Sequence, residues 1–205
     1  MSGFTEGVLE CNGLPLRYAE AGEGRAVVVF PAGGDKLFDD VAAGLAAHHR
    51  VIALDAAPGV AKVQDFAEQL ARSLTRLGVA SFSVIGVERG ATPALAQAAY
   101  TPERVPRLVL VSPPPTSVQH PELATRLREV KTPTLVLVGT RDRSGSRDAG
   151  RMCRAQLPSC HLLLVYDAGQ AVAADRREAC LSAIGEFLEQ GEGFIVSHDS
   201  QLIRP

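Results

Sequence analysis

The sequence predicts an α/β protein built on a mostly parallel, doubly wound sheet of about eight strands, and three observations carry that prediction. Short runs dense in valine, leucine and isoleucine recur along the chain. Amphipathic stretches of helical length separate most of them, which is the pattern of parallel strands joined by crossover helices. Near the N-terminus two short runs instead flank a turn dipeptide, the mark of an antiparallel hairpin.

In chain order, residues 7–11 and 15–19 lie either side of Asn12-Gly13, a pair suited to the positive φ angles of a tight turn, and form the edge hairpin. The runs at 26–30, 51–54, 82–85, 108–111, 134–138 and 161–165 are almost continuously apolar, as strands covered on both faces must be. Helical stretches at 39–47, 63–77, 91–99, 122–129, 146–156 and 175–189 place leucine or alanine at helical spacing, with arginine or glutamate opposite. Residues 112–120 include Pro113, Pro114 and Pro115; they are too few for a lid, and the prolines predict an extended path. No linker or internal repeat divides the chain. Residues 1–190 therefore read as a single domain without a cap, and 191–205 as an appended tail. Its β-prone Phe194-Ile195-Val196 suits either packing over the core or an oligomer contact by strand addition.

With 205 residues, 46% of them hydrophobic and 21% charged, the chain can bury a full core. Lysine plus arginine number 21 against 23 acidic residues, and no basic block suits a phosphate backbone, so nucleic acid is excluded as a partner. The first residues lack a basic region followed by an apolar run, and nowhere do about 18 apolar residues follow one another without interruption. The reading is a cytoplasmic protein with no membrane partner. Cys11, Cys153, Cys160 and Cys180 have no CxxC spacing and read as buried free thiols. His48, His49, His161 and His198 show no ligand spacing, so neither a metal nor a cofactor is expected.

Four segments carry the chemistry. Val84-Ile85-Gly86-Val87-Glu88-Arg89-Gly90-Ala91 runs from a strand into a helix. In so sharp a turn Gly86 and Gly90 approach neighbouring backbone, where a side chain would clash, and residue 88 is pushed out at the strand's end. Residues 133–142 form a strand ending in Gly139-Thr140-Arg141-Asp142; residues 164–170 form another ending in Asp167-Ala168-Gly169-Gln170; and residues 28–34 end in Pro31-Ala32-Gly33-Gly34.

These segments, in this order and each at a strand's end, resemble the α/β-hydrolase family over residues 12–189. The resemblance implies that Glu88 stands at the nucleophile position, Asp142 at that of the triad acid and Gln170 at that of the histidine base. It also implies that Gly33 and Gly34 lie where the family's His-Gly-x-Gly loop supplies oxyanion-hole amides. This chain departs from the family at Glu88 and Gln170, and at Pro31 and Ala32, which replace the loop's histidine and first glycine.

Serine hydrolysis needs a base that takes the hydroxyl proton and returns it to the leaving group, and an amide cannot accept that proton at neutral pH. Relatives with a carboxylate nucleophile form an ester that a histidine-activated water must break; Glu88 is one methylene longer than their aspartate and lacks that helper. The expectation is a non-hydrolytic pseudoenzyme with a degenerate triad that binds a small molecule or a protein partner. The alternative is an unconventional hydrolase, lyase or isomerase using Glu88 and Asp142 as paired carboxylates. Ligand contacts are assigned to Gly33, Gly34, Arg89, Ser112 and His120. For Ser112 the bland reading is a locally bonded turn residue. His120 either rescues Glu88 as a base or, with Pro121, begins the next helix. Opening a helix favours the Glu88 anion, which could fold into its own oxyanion hole beside Gly33-Gly34. An apolar rim left open by the missing lid invites homo-oligomers.

Overall fold

The structure, a computed structural model, describes residues 3–11, 13–32, 38–54 and 62–194, with the side chains of Leu14 and Glu192 excepted. Eight strands form one sheet: β1 Thr5–Cys11, β2 Leu14–Ala21, β3 Ala26–Phe30, β4 Arg50–Leu54, β5 Phe82–Val87, β6 Leu108–Val111, β7 Thr134–Gly139 and β8 Cys160–Val165. Their order is β1-β2-β4-β3-β5-β6-β7-β8. β1 and β2 pair antiparallel through Cys11↔Leu14, with Gly13 between them at φ +73°, and β2 pairs antiparallel with β4. The remaining pairs are parallel. The hairpin thus lies at one edge, as expected; Asn12 itself lies outside the described residues.

The near-continuous apolarity of the central strands follows from what covers them. Val28 and Phe30 of β3 enter one hydrophobic layer with residues of α2 (Val63–Arg76), α3 (Ala91–Tyr100) and α6 (Ser146–Gln156). Val27 and Val29 enter the opposite layer with α1 (Asp39–Leu45) and α8 (Arg177–Gln190). Because successive residues of a strand point to opposite faces, a strand covered on both sides must be apolar throughout. The helices show the complementary pattern: α2 buries Val63, Phe66, Ala67, Leu70, Ala71 and Leu74, the three-four spacing of one helical face.

Three expectations need correction. The segment after β6 is not extended throughout: Pro115 opens a one-turn helix, α4 (Pro115–Val118), because a proline at the first helical position loses no needed donor and already has helical φ. The helix expected at 122–129 is split into α5 (Pro121–Ala124) and a 3₁₀ turn, Leu127–Glu129. The helix expected at 175–189 is interrupted at Arg176 (φ −141°, ψ 57°), giving α7 (Val172–Asp175) and α8. Arg176 turns its guanidinium back to the Tyr166 carbonyl (3.2 Å) and the Asp167 carboxylate (2.8 Å). α4, α5 and the 3₁₀ turn Leu127–Glu129 are the only helical elements between β6 and β7, so no cap domain covers the strand ends.

All four cysteines are free and buried. Burial pushes the thiols of Cys153, Cys160 and Cys180 up to about 12, so they stay protonated and unreactive near neutrality. Among the described residues, no helix is long and apolar enough to cross a membrane.

Two histidines make stability depend on pH. Burial is the main force lowering the pKa of His49, which lies near His48, Arg25 and Glu189, and that of His161, which Arg154 lowers further. An imidazole that titrates lower in the folded than in the unfolded chain binds its proton preferentially when unfolded, so acidification favours unfolding. Urea unfolding is therefore expected to show stability level above about pH 6.5, the ordinary imidazole value, and declining as pH falls below it. Substituting both His49 and His161 by glutamine flattens that decline.

Candidate active site

β5 enters α3 through a 3₁₀ turn, Glu88–Gly90. The turn is tight enough that both flanking glycines are required. A Cβ on Gly86 would lie 2.6 Å from the Gly90 carbonyl oxygen and 2.7 Å from Ala91 Cα, and one on Gly90 would lie 2.1 Å from the Phe30 carbonyl oxygen. Glu88, between them, has φ +48°, a conformation that costs a residue with a Cβ about 1–2 kcal/mol. Ser112 (φ +48°) and Asp167 (φ +58°) share that conformation. The three follow β5, β6 and β8 at their carboxyl ends, so the backbone strain of the described non-glycine residues is gathered on the edge of the sheet where ligands of open α/β sheets bind.

The loops after β7 and β8 are laced into one unit. Arg141 N–H donates to the Ala168 carbonyl at 2.8 Å, Thr140 N–H to that of Val165 at 3.0 Å, and Asp167 N–H to Thr140 Oγ1 at 2.9 Å. A Cβ on Gly139 would lie 2.2–2.6 Å from Ala168 and Gly169 backbone atoms, so the two loops touch main chain to main chain. Asp167 bridges Arg141 (3.1 Å) and Arg176 (2.8 Å) at the surface; such exposed pairs contribute little individually. Asp142, 3% exposed, accepts the Ser144 N–H on Oδ1 at 2.6 Å.

Glu88 and Gln170 line the same cleft, whose other described walls are Ala32, Phe38, Val87, Val111 and residues 171–173. Its accessible space is about 10 Å³, room for roughly one water. Among these lining residues Glu88 alone is ionisable, and none is a histidine.

Arg89, Ser112 and His120 are not among the cleft's described walls. Arg89 donates from Nε to the Ala32 carbonyl at 3.2 Å, tying the turn to the loop after β3. Ser112 is 1% exposed and commits its hydroxyl to the Gln170 carbonyl at 2.6 Å, while its N–H reaches the Leu137 carbonyl at 2.8 Å. It is a clamp on the Gln170 loop. His120 caps α5, its carbonyl accepting the Leu123 and Ala124 N–H groups, and its buried Nδ1 has no hydrogen-bond partner among the described residues. Gly33 and Gly34 lie outside the described residues, and with them the idea that Glu88 folds against their amides. Among the described residues no group of three potential ligands could hold a metal ion.

Sequence reasoning missed the lacing. Gly139 and Asp167 hold the two loops together, and the signal available for Asp167 was only its place just past a strand, where short polar residues tolerate left-handed φ.

No protein-family model matches the chain, and no curated protein matches it in sequence. Its backbone is nevertheless similar to many solved structures. Carboxylesterase CesB from Bacillus subtilis superposes with a TM-score of 0.79 at 14% identity, covering 92% of each chain. The enol-lactonase from Burkholderia xenovorans LB400 gives 0.76 at 18% identity, over 89% of this chain and 99% of that one. A predicted CIB-like hydrolase from Thermoplasma acidophilum gives 0.75 at 16% identity, over 91% and 98%. With the strand order, the antiparallel hairpin and the tight turn after β5, these likenesses establish that the chain has the α/β-hydrolase fold.

Proposed function

We propose that this chain is a non-hydrolytic α/β-hydrolase-fold protein, a pseudoenzyme with a degenerate triad that works by binding. One observation carries the reading: the cleft that brings the turn after β5 together with the loop after β8 is lined there by Glu88 and Gln170. An acyl-transfer cycle needs a group in that loop that takes a proton and gives it back, and an amide does neither at neutral pH. If Glu88 attacked an alkyl halide or epoxide, the resulting ester would have no activated water to break it, so reaction would stop after one turnover.

The test is an assay of acyl esters, haloalkanes and epoxides against the intact chain and against Glu88→Ala. The expected result is no multiple turnover and no difference between the two. Turnover that disappears on Glu88→Ala would establish the other reading, an unconventional enzyme using Glu88 and Asp142. That second reading draws support from the left-handed backbone at Glu88, since such strain is often retained where chemistry needs it.

A further inference from the structure

β8 is the last strand of the sheet, and no described strand pairs with its outer side. The Ser159 and Val165 carbonyls accept the N–H groups of Thr134 and Thr140, at the two ends of β7. The N–H and C=O of one strand residue point the same way, so residues 159, 161, 163 and 165 turn theirs to β7 while Cys160, Leu162 and Leu164 turn theirs outward. Such an open row is a template for another extended chain. α6 lies alongside, so close that a Cβ on Gly150 would be 2.8 Å from Leu162 Cδ1. Its Arg147, Arg151 and Arg154 are exposed and, spaced by four and three, share one helical face. Arg154 is near enough to lower the pKa of both Cys160 and His161 at the start of β8, and Arg147 donates to the Thr140 carbonyl at 3.3 Å, beside its end. The arginines therefore follow the open edge along its length. On the same face of the sheet as Leu162, Leu164 is 39% exposed, and Tyr166, just past the strand, 59%. Arg151 pairs with Asp148, whereas Arg147 and Arg154 have no ion pair among the described residues.

We infer that the outer edge of β8, flanked by the α6 arginines, binds an extended acidic peptide as an added strand. The inference does not depend on the cleft. The three arginines spread over about 10 Å of helix, and carboxylates at positions i, i+2 and i+4 of a strand over about 13 Å. Acidic side chains on the α6 side thus meet the arginines, with their methylene stems against Leu164 and Tyr166. Main-chain pairing holds the peptide and the charges select it. The chain's own continuation does not suit this edge. The connections β4-α2-β5, β5-α3-β6 and β7-α6-β8 all step toward β8 with their helix in one layer, while α8 lies in the other. A parallel strand reached through α8 would cross with the opposite hand, which is hardly ever found. An antiparallel one would have to begin at the carboxyl end of β8, whereas Phe194 lies against His161 at the amino end. A second copy is also disfavoured: two β8 strands paired about a two-fold axis would set the arginines of one α6 beside those of the other.

The probe is a fluorescein-labelled heptapeptide of alternating glutamate and valine, followed by anisotropy with the full chain at low salt. Saturable binding is expected, and added salt should weaken it. A peptide with lysine in place of glutamate should not bind. One with proline in place of valine keeps the charge but loses strand φ and the N–H groups at those positions, and should bind at least about tenfold more weakly. The triple variant Arg147→Gln, Arg151→Gln, Arg154→Gln should also lose about tenfold, the combined worth of three exposed ion pairs. Its three positions are exposed on a helix that glutamine suits as well as arginine, and circular dichroism checks that it folds. Absence of binding by the native chain overturns the proposal. So does equal binding of the proline peptide, which would reduce the arginines to a surface that adsorbs anions, or equal binding by the triple variant. Sedimentation velocity supplies the last arm: self-association that the glutamate peptide competes away would give the edge to a second copy and overturn the proposal as well.

Discussion

Gly90→Ala is expected to destabilise the fold by about 3 kcal/mol or more, toward the upper end of what overpacking costs. The added carbon would sit 2.1 Å from the Phe30 carbonyl oxygen, 2.7 Å from its carbon and 2.9 Å from the Pro31 carbonyl oxygen. All three are main-chain atoms where β3 leaves the middle of the sheet, so no side chain can rotate away. Either the end of β3 or the turn holding Glu88 must move, in an interior packed as densely as a crystal. Gly185→Ala is the control: nothing lies within 4 Å of the added carbon in α8, and exchanging a mid-helix glycine for alanine gains up to about 1 kcal/mol. Urea unfolding of the two variants should therefore move in opposite directions. A Gly90→Ala protein within about 1 kcal/mol of the native chain would mean that the turn is loose and that Glu88 is not held where the candidate site needs it.

What could be read from the sequence was what depends on neighbours along the chain. The central strands were legible because burial on both faces leaves only apolar residues, and the turn after β5 because Gly86 and Gly90 are spaced by the geometry of one sharp bend. Strand ends were less legible. β5 runs on through Gly86 and Val87 because pairing with β6 continues to Val87↔Val111, a contact between segments 24 residues apart in the sequence. The break at Arg176 was hidden for the same reason: no glycine or proline marks it, and it accompanies a guanidinium that reaches back to Tyr166 and Asp167.

The candidate site divides along the same line. The strand-end segments carrying Glu88, Asp142 and Gln170 were legible as local pattern, and their resemblance to the α/β-hydrolase family singled out those three positions within them. Whether a strand-end side chain faces the cleft depends on bonds made across loops. Ser112 shows this most clearly, since its hydroxyl is turned to a backbone carbonyl of the very loop whose residue 170 lines the cleft. Type and position suited it for ligand binding; the contact made it a clamp.

The second large effect is expected on the opposite side of the sheet. Phe187, fully buried in α8, meets the rings of His161 and Phe194 edge to face with centroids 6.3 and 5.6 Å away, and its carbonyl accepts the Arg107 guanidinium at 3.1 Å. Truncation to alanine should cost about 3–5 kcal/mol in urea unfolding, with the main-chain bond to Arg107 left intact. Phe194, at 3% exposure, touches both of the same rings, which places the start of the expected tail against this layer. Phe194→Ala should cost less, because Phe187 is held within α8 and Phe194 lies beyond its end. The double substitution should lose about 0.5–1.5 kcal/mol less than the sum of the two, the worth of an aromatic pair removed only once. Strict additivity would show that the two rings do not support each other, and that residue 194 is not anchored on α8.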